Sequence, residues 1–350
     1  EQLVGGEITE EEAEEERAAL TEIQKEDHPG LVKEFVTNPE SKSVTFALLR
    51  RDLPNPSLPE HWGEKVSAPT VKELATVASS LDNSYLAIQG PPGTGKTWTG
   101  ARIIHHLVTV EKKKVGITAQ AWAAVDNLLA ETVKYTEDEL KQDLGSLNAY
   151  TGSGKQKIQG VGNLNRKSPR WFRDQEAALV ASTTWFWAHK DFSDEENKFD
   201  YLVIDEAGQL SLADALAASK GAKNIILLGD PQQLRQVSQA SHPKGENFDS
   251  GASVLGHLIG EESTISRDRG VFLDKTWRLD PKICTFISEE FYQGRLDPVE
   301  SINRKISDRE NGLYWVPVPH DDEDPSVDEN RKEAEKIVEI ISSLLGSSEF

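Results

Sequence analysis

Between residues 85 and 229, short apolar runs alternate with stretches of helical periodicity: YLAIQ from 85, KVGITA from 114, ALVAS from 178, YLVID from 201 and NIILLG from 224. Continuous apolar runs of this length are the pattern of strands buried on both faces of a parallel sheet. Between the first two, Ala101, Ile103, Ile104, Leu107 and Val108 recur at helical spacing. The pattern predicts an α/β fold, a parallel sheet with helices on both faces. A second, shorter run of the same kind begins at VFLDKTW (271–277), passes through a helix around 281–292 and reaches GLYWVPV (312–318). A last helix has Ile337, Val338, Ile341, Leu344 and Leu345 on one face. Towards the N-terminus, residues 8–27 read as a charged, solvated helix with a thin stripe at Ala13, Leu20 and Ile23. Residues 43–49 alternate weakly, and the proline-rich LPNPSLPEHW (53–62) reads as a linker. The expected organisation is an acidic accessory segment and linker over 1–62 and a first domain over 63–268, with a basic, glycine-rich insertion at about 135–177. A second domain, expected to be truncated, begins at 269 and runs to 350.

Composition adds limits to this picture. The net charge is −20, and residues 1–30 alone hold eleven carboxylates against Arg17 and Lys25. So acidic a surface argues against sequence-blind coating of duplex nucleic acid, which needs a basic footprint, yet leaves room for a narrow basic groove. No apolar run approaches the roughly 18 residues of a membrane span. The single Cys284 cannot form an internal disulfide, so a reducing cytoplasmic setting is expected. The chain contains no methionine, and is expected to be a fragment of a longer protein.

Candidate chemistry begins at Gly90-Pro91-Pro92-Gly93-Thr94-Gly95-Lys96-Thr97, which fits G-x-x-x-x-G-K-[ST] between a strand and a helix. In such a loop backbone N–H groups surround phosphates, and glycines permit the close approach. Lys96 would reach the β/γ-phosphates of a nucleotide, and the Thr97 hydroxyl would ligate Mg²⁺. Asp205 ends an apolar strand and is followed by Glu206. The first is placed to hold hydrated Mg²⁺, the second to take a proton from attacking water. The strand NIILLG runs into Asp230-Pro231-Gln232-Gln233, where Gln233 could sense the γ-phosphate through its amide. Against each stands a plainer alternative: a glycine turn that only packs, or a solvated acidic turn.

Taken together, GPPGTGKT, ITAQAWAAVDNLL, VIDEAGQ, LLGDPQQL and TWRLDPKICTFISEEFYQGRL resemble the consecutive motifs of a superfamily 1 helicase of the nonsense-mediated-decay type, over about residues 85–297. The likeness is nearest to a bacterial group whose motor follows a RecB-like nuclease domain; no nuclease motif occurs in this chain. The resemblance implies an ATP-driven motor of two RecA-like domains, ATP between them and single-stranded nucleic acid, DNA favoured, across their top. It also implies a γ-phosphate arginine at Arg278 and a base-stacking aromatic at Trp277. Read from the residues alone, that pair could equally be a packed cation–π contact. The fourth motif departs from the usual Gln-Tyr-Arg by reading Thr276-Trp277-Arg278, and no clear adenine-reading glutamine precedes the phosphate loop.

For the strand track, the resemblance places contacts on Thr118, Ala119 and Gln120 and on Ser182, Thr183 and Thr184. Hydroxyls and backbone amides at strand ends suit phosphate contact without base readout. Trp122 and Trp185 lie near them and could stack on bases or pack in the core. The segment TGSGKQKIQGVGNLNRKSPRWFR (151–173) carries Lys155, Lys157, Arg166, Lys167, Arg170 and Arg173 and no acid. It suits a loop that clamps a single strand, or a solvated insertion. Two other readings stay open: a phosphate-loop kinase or GTPase, and a nucleotide-gated binding module without turnover. Since the family's last two motifs do not appear before Phe350, the expectation for this chain is nucleotide binding with slow hydrolysis, little stimulation by single strands and no unwinding.

Overall fold

The computed structural model describes residues 41–59, 62, 68–152, 158–164, 167–176, 178–233, 252–299, 312–319 and 330–345. The acidic helix expected over 8–27 lies outside the described residues. In chain order the first unit, which ends at Asp274, holds α1 (Val44–Arg50), α2 (Val71–Ser80), β1 (Tyr85–Gln89), α3 (Lys96–Thr109), β2 (Lys114–Thr118) and α4 (Trp122–Lys134). It continues with β3 (Ala149–Thr151), β4 (Gly162–Asn163), β5 (Ala178–Ala181), α5 (Thr184–Trp187), β6 (Phe199–Ile204), α6 (Leu212–Ser219), β7 (Ala222–Gly229), α7 (Val254–Ile259) and β8 (Gly270–Phe272).

Eight strands form one sheet in the order β4-β3-β5-β2-β6-β7-β1-β8, every pairing parallel. All strands therefore end on the same edge, where an α/β sheet holds its ligands. This is the RecA-like phosphate-loop fold. Alternate residues of each strand face opposite sides. Leu86, Ile88, Val115, Ile117, Val203, Ile226 and Leu228 share one buried core with α2, α3 and α4. On the other face, Trp187 lies so close to Gly116 that an added Cβ would stand 2.3 Å from its ring. Both faces are thus covered, which is why the strands read as unbroken apolar runs.

Helix starts follow local chemistry. α2 opens with a reciprocal capping box, the Thr70 side chain accepting from the Glu73 amide and the Glu73 carboxylate accepting from the Thr70 amide. α3 is anchored by Arg102, whose guanidinium lies over the Trp98 and Tyr135 rings and pairs with the Glu139 carboxylate at 2.6 Å. Tyr135–Glu139 is a π-helical turn continuing α4, so this pairing locks the phosphate-loop helix to the next one.

Several expectations are corrected. Residues 44–50 are helical, and the side chains of Val44, Phe46 and Leu48 are buried in the first unit, as are Leu58 and Trp62 of the expected linker. The insertion extends the sheet by two strands, β3 and β4. The boundary expected at 268/269 falls after Asp274 instead, because Gly270–Phe272 pairs with Ala87–Gln89 as the edge of the first sheet. An added Cβ on Gly270 would stand 2.5 Å from the Ala87 carbonyl oxygen, so the glycine permits this approach.

The second unit, from Lys275, contains β9 (Lys275–Thr276), α8 (Pro281–Phe291), β10 (Asp297–Pro298) and α9 (Arg331–Leu345). β9 and β10 pair in parallel. Asp280 caps α8 through the Lys282 amide, with Pro281 in the first turn. Residues 312–318, read as a strand, are assigned to none, and Leu313, Tyr314 and Trp315 are exposed.

Candidate nucleotide site

Three strand ends meet at the edge of the first sheet. β1 runs directly into the glycine loop, and Gly93 and Gly95 take φ of 80° and 87°, a region glycine enters without steric cost. The Gly90 amide donates to the Gly229 carbonyl at the end of β7. An added Cβ on Gly90 would meet Lys96 Cγ at 2.4 Å and Thr94 Oγ1 at 2.7 Å. The loop thus closes on itself, and the Lys96 amine folds back to donate to the Gly90 carbonyl at 2.8 Å. The Thr94 hydroxyl donates to the Pro91 carbonyl at 2.8 Å. Thr97 stands in the first turn of α3 and is partly exposed.

β6 places the acidic pair. Asp205 is buried, and its Oδ1 accepts from the Glu206 amide at 2.9 Å. Burial, reinforced by the neighbouring Glu206 charge, raises its pKa to about 6, against the opposing effects of that amide and of Lys96. The Asp205 carboxylate and the Thr97 hydroxyl are oxygen donors of the kind a hard divalent cation takes. The residues present therefore fit both groups, phosphates in the glycine loop and Mg²⁺ at Thr97 and Asp205. Glu206 has φ of 52°, a left-handed conformation uncommon for a residue with a Cβ, held by a turn in which Gln209 and Leu210 donate to its carbonyl.

That turn is pressed onto β7. An added Cβ on Gly208 would stand 2.2 Å from the Asp230 carbonyl oxygen, and one on Gly229 would stand 2.5 Å from the Gly208 amide. The Ala207 amide donates to the Leu228 carbonyl. Asp230 is buried, and its Oδ1 accepts from the Gln232 amide at 3.2 Å, the turn that brings Gln233 to the edge. Lys96, Asp205, Glu206 and Gln233 are thereby carried by abutting loops. Sequence reading passed over Gln89, the polar residue that closes β1, and Gly208; the only signal for either was a residue out of place in its run.

The strand-track residues divide. Thr118 and Ala119 are 0% and 1% exposed and cannot present side chains to a nucleic acid, because β2 pairs with Ile204 through Thr118 and the Thr118 carbonyl accepts from the Asp205 amide. Ser182 is also buried, whereas Gln120 is exposed and Thr183 and Thr184 are partly so. Trp122 packs against the core, its ring 3.1 Å from a Cβ built on Gly152. Trp185, one turn past β5, is 86% exposed.

Lys155, Lys157 and Arg166 lie outside the described residues. Lys167 sits over the Trp171 ring at 3.4 Å, and Arg170 pairs with Asp191 at 3.4 Å. The turn carrying Arg170 lies by the opposite edge of the sheet, since Lys114 at the start of β2 donates to the Arg173 carbonyl. Lys167 and Arg170 are therefore each engaged with a partner within the protein. In the second unit Trp277 and Arg278 are both exposed, the Arg278 amide donating to Thr276 Oγ1. They form none of the cation–π pairs found among the described residues.

The chain is similar to several known proteins, and it spans about a quarter or less of the length of two relatives. A family described as an AAA domain matches residues 71–244. The ATP-dependent helicase NAM7 of Saccharomyces cerevisiae is 30% identical over 259 residues, which is 65% of this chain and 26% of that protein. The DNA replication ATP-dependent helicase/nuclease dna2 of Schizosaccharomyces pombe is 27% identical over 247 residues, 66% of this chain and 17% of that protein. Among solved structures, a complex of arterivirus nonstructural protein 10, a helicase, with DNA aligns over 65% of this chain and 46% of that one at 14% identity, with a TM-score of 0.39.

Proposed function

We propose that this chain, which belongs to the superfamily 1 helicases of the nonsense-mediated-decay type, binds and hydrolyses ATP at the edge of its first sheet as part of a motor that moves along single-stranded nucleic acid. The observation that carries the reading is the convergence of the glycine loop, the Asp205-Glu206 turn and the Asp230-Gln233 turn on one sheet edge, tied by direct backbone contact. In this account the loop amides and the Lys96 amine hold the β/γ-phosphates, and Thr97 and Asp205 would hold Mg²⁺. When bound, Mg²⁺ neutralises charge on the phosphate oxygens. Glu206 accepts the proton of the attacking water, and Gln233 senses the γ-phosphate. Trp277 and Arg278 keep the roles the family suggests, base stacking and γ-phosphate contact.

For the strand, Gln120, Thr183 and Thr184 supply phosphate contacts and Trp185 a stacking platform, since each is open to solvent at the strand ends or just past them. DNA is favoured, with a RecB-like nuclease domain as a partner outside this chain; one relative being named a DNA replication helicase/nuclease speaks for that choice. We place the protein in a bacterial cytoplasm; no helix of the described residues is long and apolar enough to cross a membrane. The test is phosphate release by this chain with and without single-stranded DNA or RNA. Release above that of Lys96→Ala, raised more by DNA, supports the reading. Rates equal to Lys96→Ala throughout would leave at most a binding module.

A further inference from the structure

Gln89 is the last residue of β1, directly before the glycine loop, and is 0% exposed. An amide in that place must satisfy a donor and an acceptor without water. Its Oε1 accepts from the Ile265 amide at 2.7 Å. Its Nε2 donates to the Ser263 carbonyl at 3.1 Å and to Asp230 Oδ1 at 3.3 Å. The same Asp230 Oδ1 accepts from the Gln232 amide, and Oδ2 accepts from Gln233 Nε2 at 3.5 Å, a long and weak bond. One side chain thus joins the strand that feeds the glycine loop to the carboxylate that shapes the turn carrying Gln233.

We propose that Gln89 is a positioning residue for γ-phosphate recognition: through Asp230 it sets the place of Gln233 relative to the glycine loop. The inference rests on the nucleotide reading above and assigns a further residue to it. Two properties of the geometry favour a positioning role over simple packing. The amide spends a donor on a carboxylate that already has the Gln232 amide on the same oxygen, so it fixes that carboxylate's orientation rather than satisfying a bare atom. The weak bond from Gln233 to the other oxygen leaves the sensor amide tethered yet easily exchanged for a phosphate oxygen. Movement of the glycine loop and of the sensor turn is then coupled through one buried side chain.

The test compares affinity for ATPγS and ADP, each by displacement of a fluorescent ADP analogue, in the parent chain, Gln89→Met, Gln233→Ala and the double variant. Methionine keeps the unbranched length and removes both polar atoms. The ratio of the two affinities reads γ-phosphate recognition, while ADP affinity alone reads the phosphate loop. Gln89→Met should lower the ratio by roughly tenfold, the worth of one hydrogen bond to a charged group, with ADP affinity within about twofold of the parent. The double variant should lose no more than Gln233→Ala alone, because both act on one contact. A parent-like ratio in Gln89→Met, or losses that multiply in the double variant, would overturn the proposal. So would equal loss of ADP and ATPγS, which would make Gln89 a support of the whole loop. A parent chain that binds neither nucleotide refutes the phosphate-loop reading itself, and with it this inference. Should circular dichroism show Gln89→Met unfolded, Asp230→Asn takes its place in the same cycle, since an amide nitrogen facing Gln233 Nε2 removes the tether at nearly unchanged volume.

Discussion

Replacing Asp205 by Asn should stabilise the ligand-free protein while destroying its response to magnesium. The carboxyl pKa stands at about 6 in the folded chain against 3.8 for the free side chain, a shift of about two units. At about 1.4 kcal/mol per unit, ionising Asp205 costs the native state on the order of 3 kcal/mol. The amide avoids that cost, which already includes the attraction to Lys96, and keeps an oxygen for the Glu206 amide, but it buries an NH₂ group. A net gain of about 1–2 kcal/mol remains, or roughly 2–8 °C in melting temperature for a unit of this size. The sign with pH follows from the raised pKa. Below about pH 4 the group is protonated in both states and costs nothing. Between about pH 4 and 6 only the unfolded chain is ionised, so native stability falls as pH rises, and above about pH 6 the full penalty is present. Urea unfolding of parent and variant at several pH values should therefore show a difference that favours the variant most above pH 6 and moves toward the parent by about 3 kcal/mol as the pH falls to about 4. With Mg²⁺ and ATPγS the order should reverse, because only the parent gains binding energy. A ligand-free variant less stable than the parent at neutral pH, or a difference that does not change with pH, would refute this account of Asp205.

Three further outcomes are expected. Glu206→Gln should retain Mg²⁺-dependent binding of a fluorescent ATP analogue while phosphate release falls about a hundredfold or more, the usual loss on removing a general base. Gly208→Ala should lower the melting temperature and impair phosphate release together, since its Cβ would stand 2.2 Å from the Asp230 carbonyl oxygen; overpacking against backbone costs about 1–3 kcal/mol, read by circular dichroism. Trp185→Ala should leave the melt unchanged, the indole being exposed, and weaken single-strand binding in fluorescence anisotropy by about 1–3 kcal/mol.

The elements legible from sequence were those whose signal is contiguous. An apolar strand followed at once by GPPGTGKT, by Asp205-Glu206 or by Asp230-Pro231 states its own position at the sheet edge, and the structure sets all three together. What escaped depends on distance along the chain. The partners of Gln89 lie 141, 174 and 176 positions away, so nothing adjacent marks it as more than the polar end of a strand. Residues 271–273 are apolar in the way any buried strand is, and the pattern does not say which sheet they join. Thr118 and Ala119 failed as surface residues because β2 runs on to Thr118 before the chain turns out at Gln120. The basic insertion looked like one patch because its acids, Asp191 and Asp194 opposite Arg170 and Glu196 opposite Arg173, come from another segment.

The central claim is that the first unit holds the phosphates of a nucleotide in the loop 90–97, with Lys96 as its mobile cation. The direct measurement is equilibrium titration of a fluorescent ATP analogue, with and without Mg²⁺, into the parent chain and Lys96→Ala. Saturable, Mg²⁺-enhanced binding to the parent and a loss of about a hundredfold or more in the variant, consistent with two or more charge-assisted hydrogen bonds, is the predicted result. Equal affinity in the two proteins would contradict it.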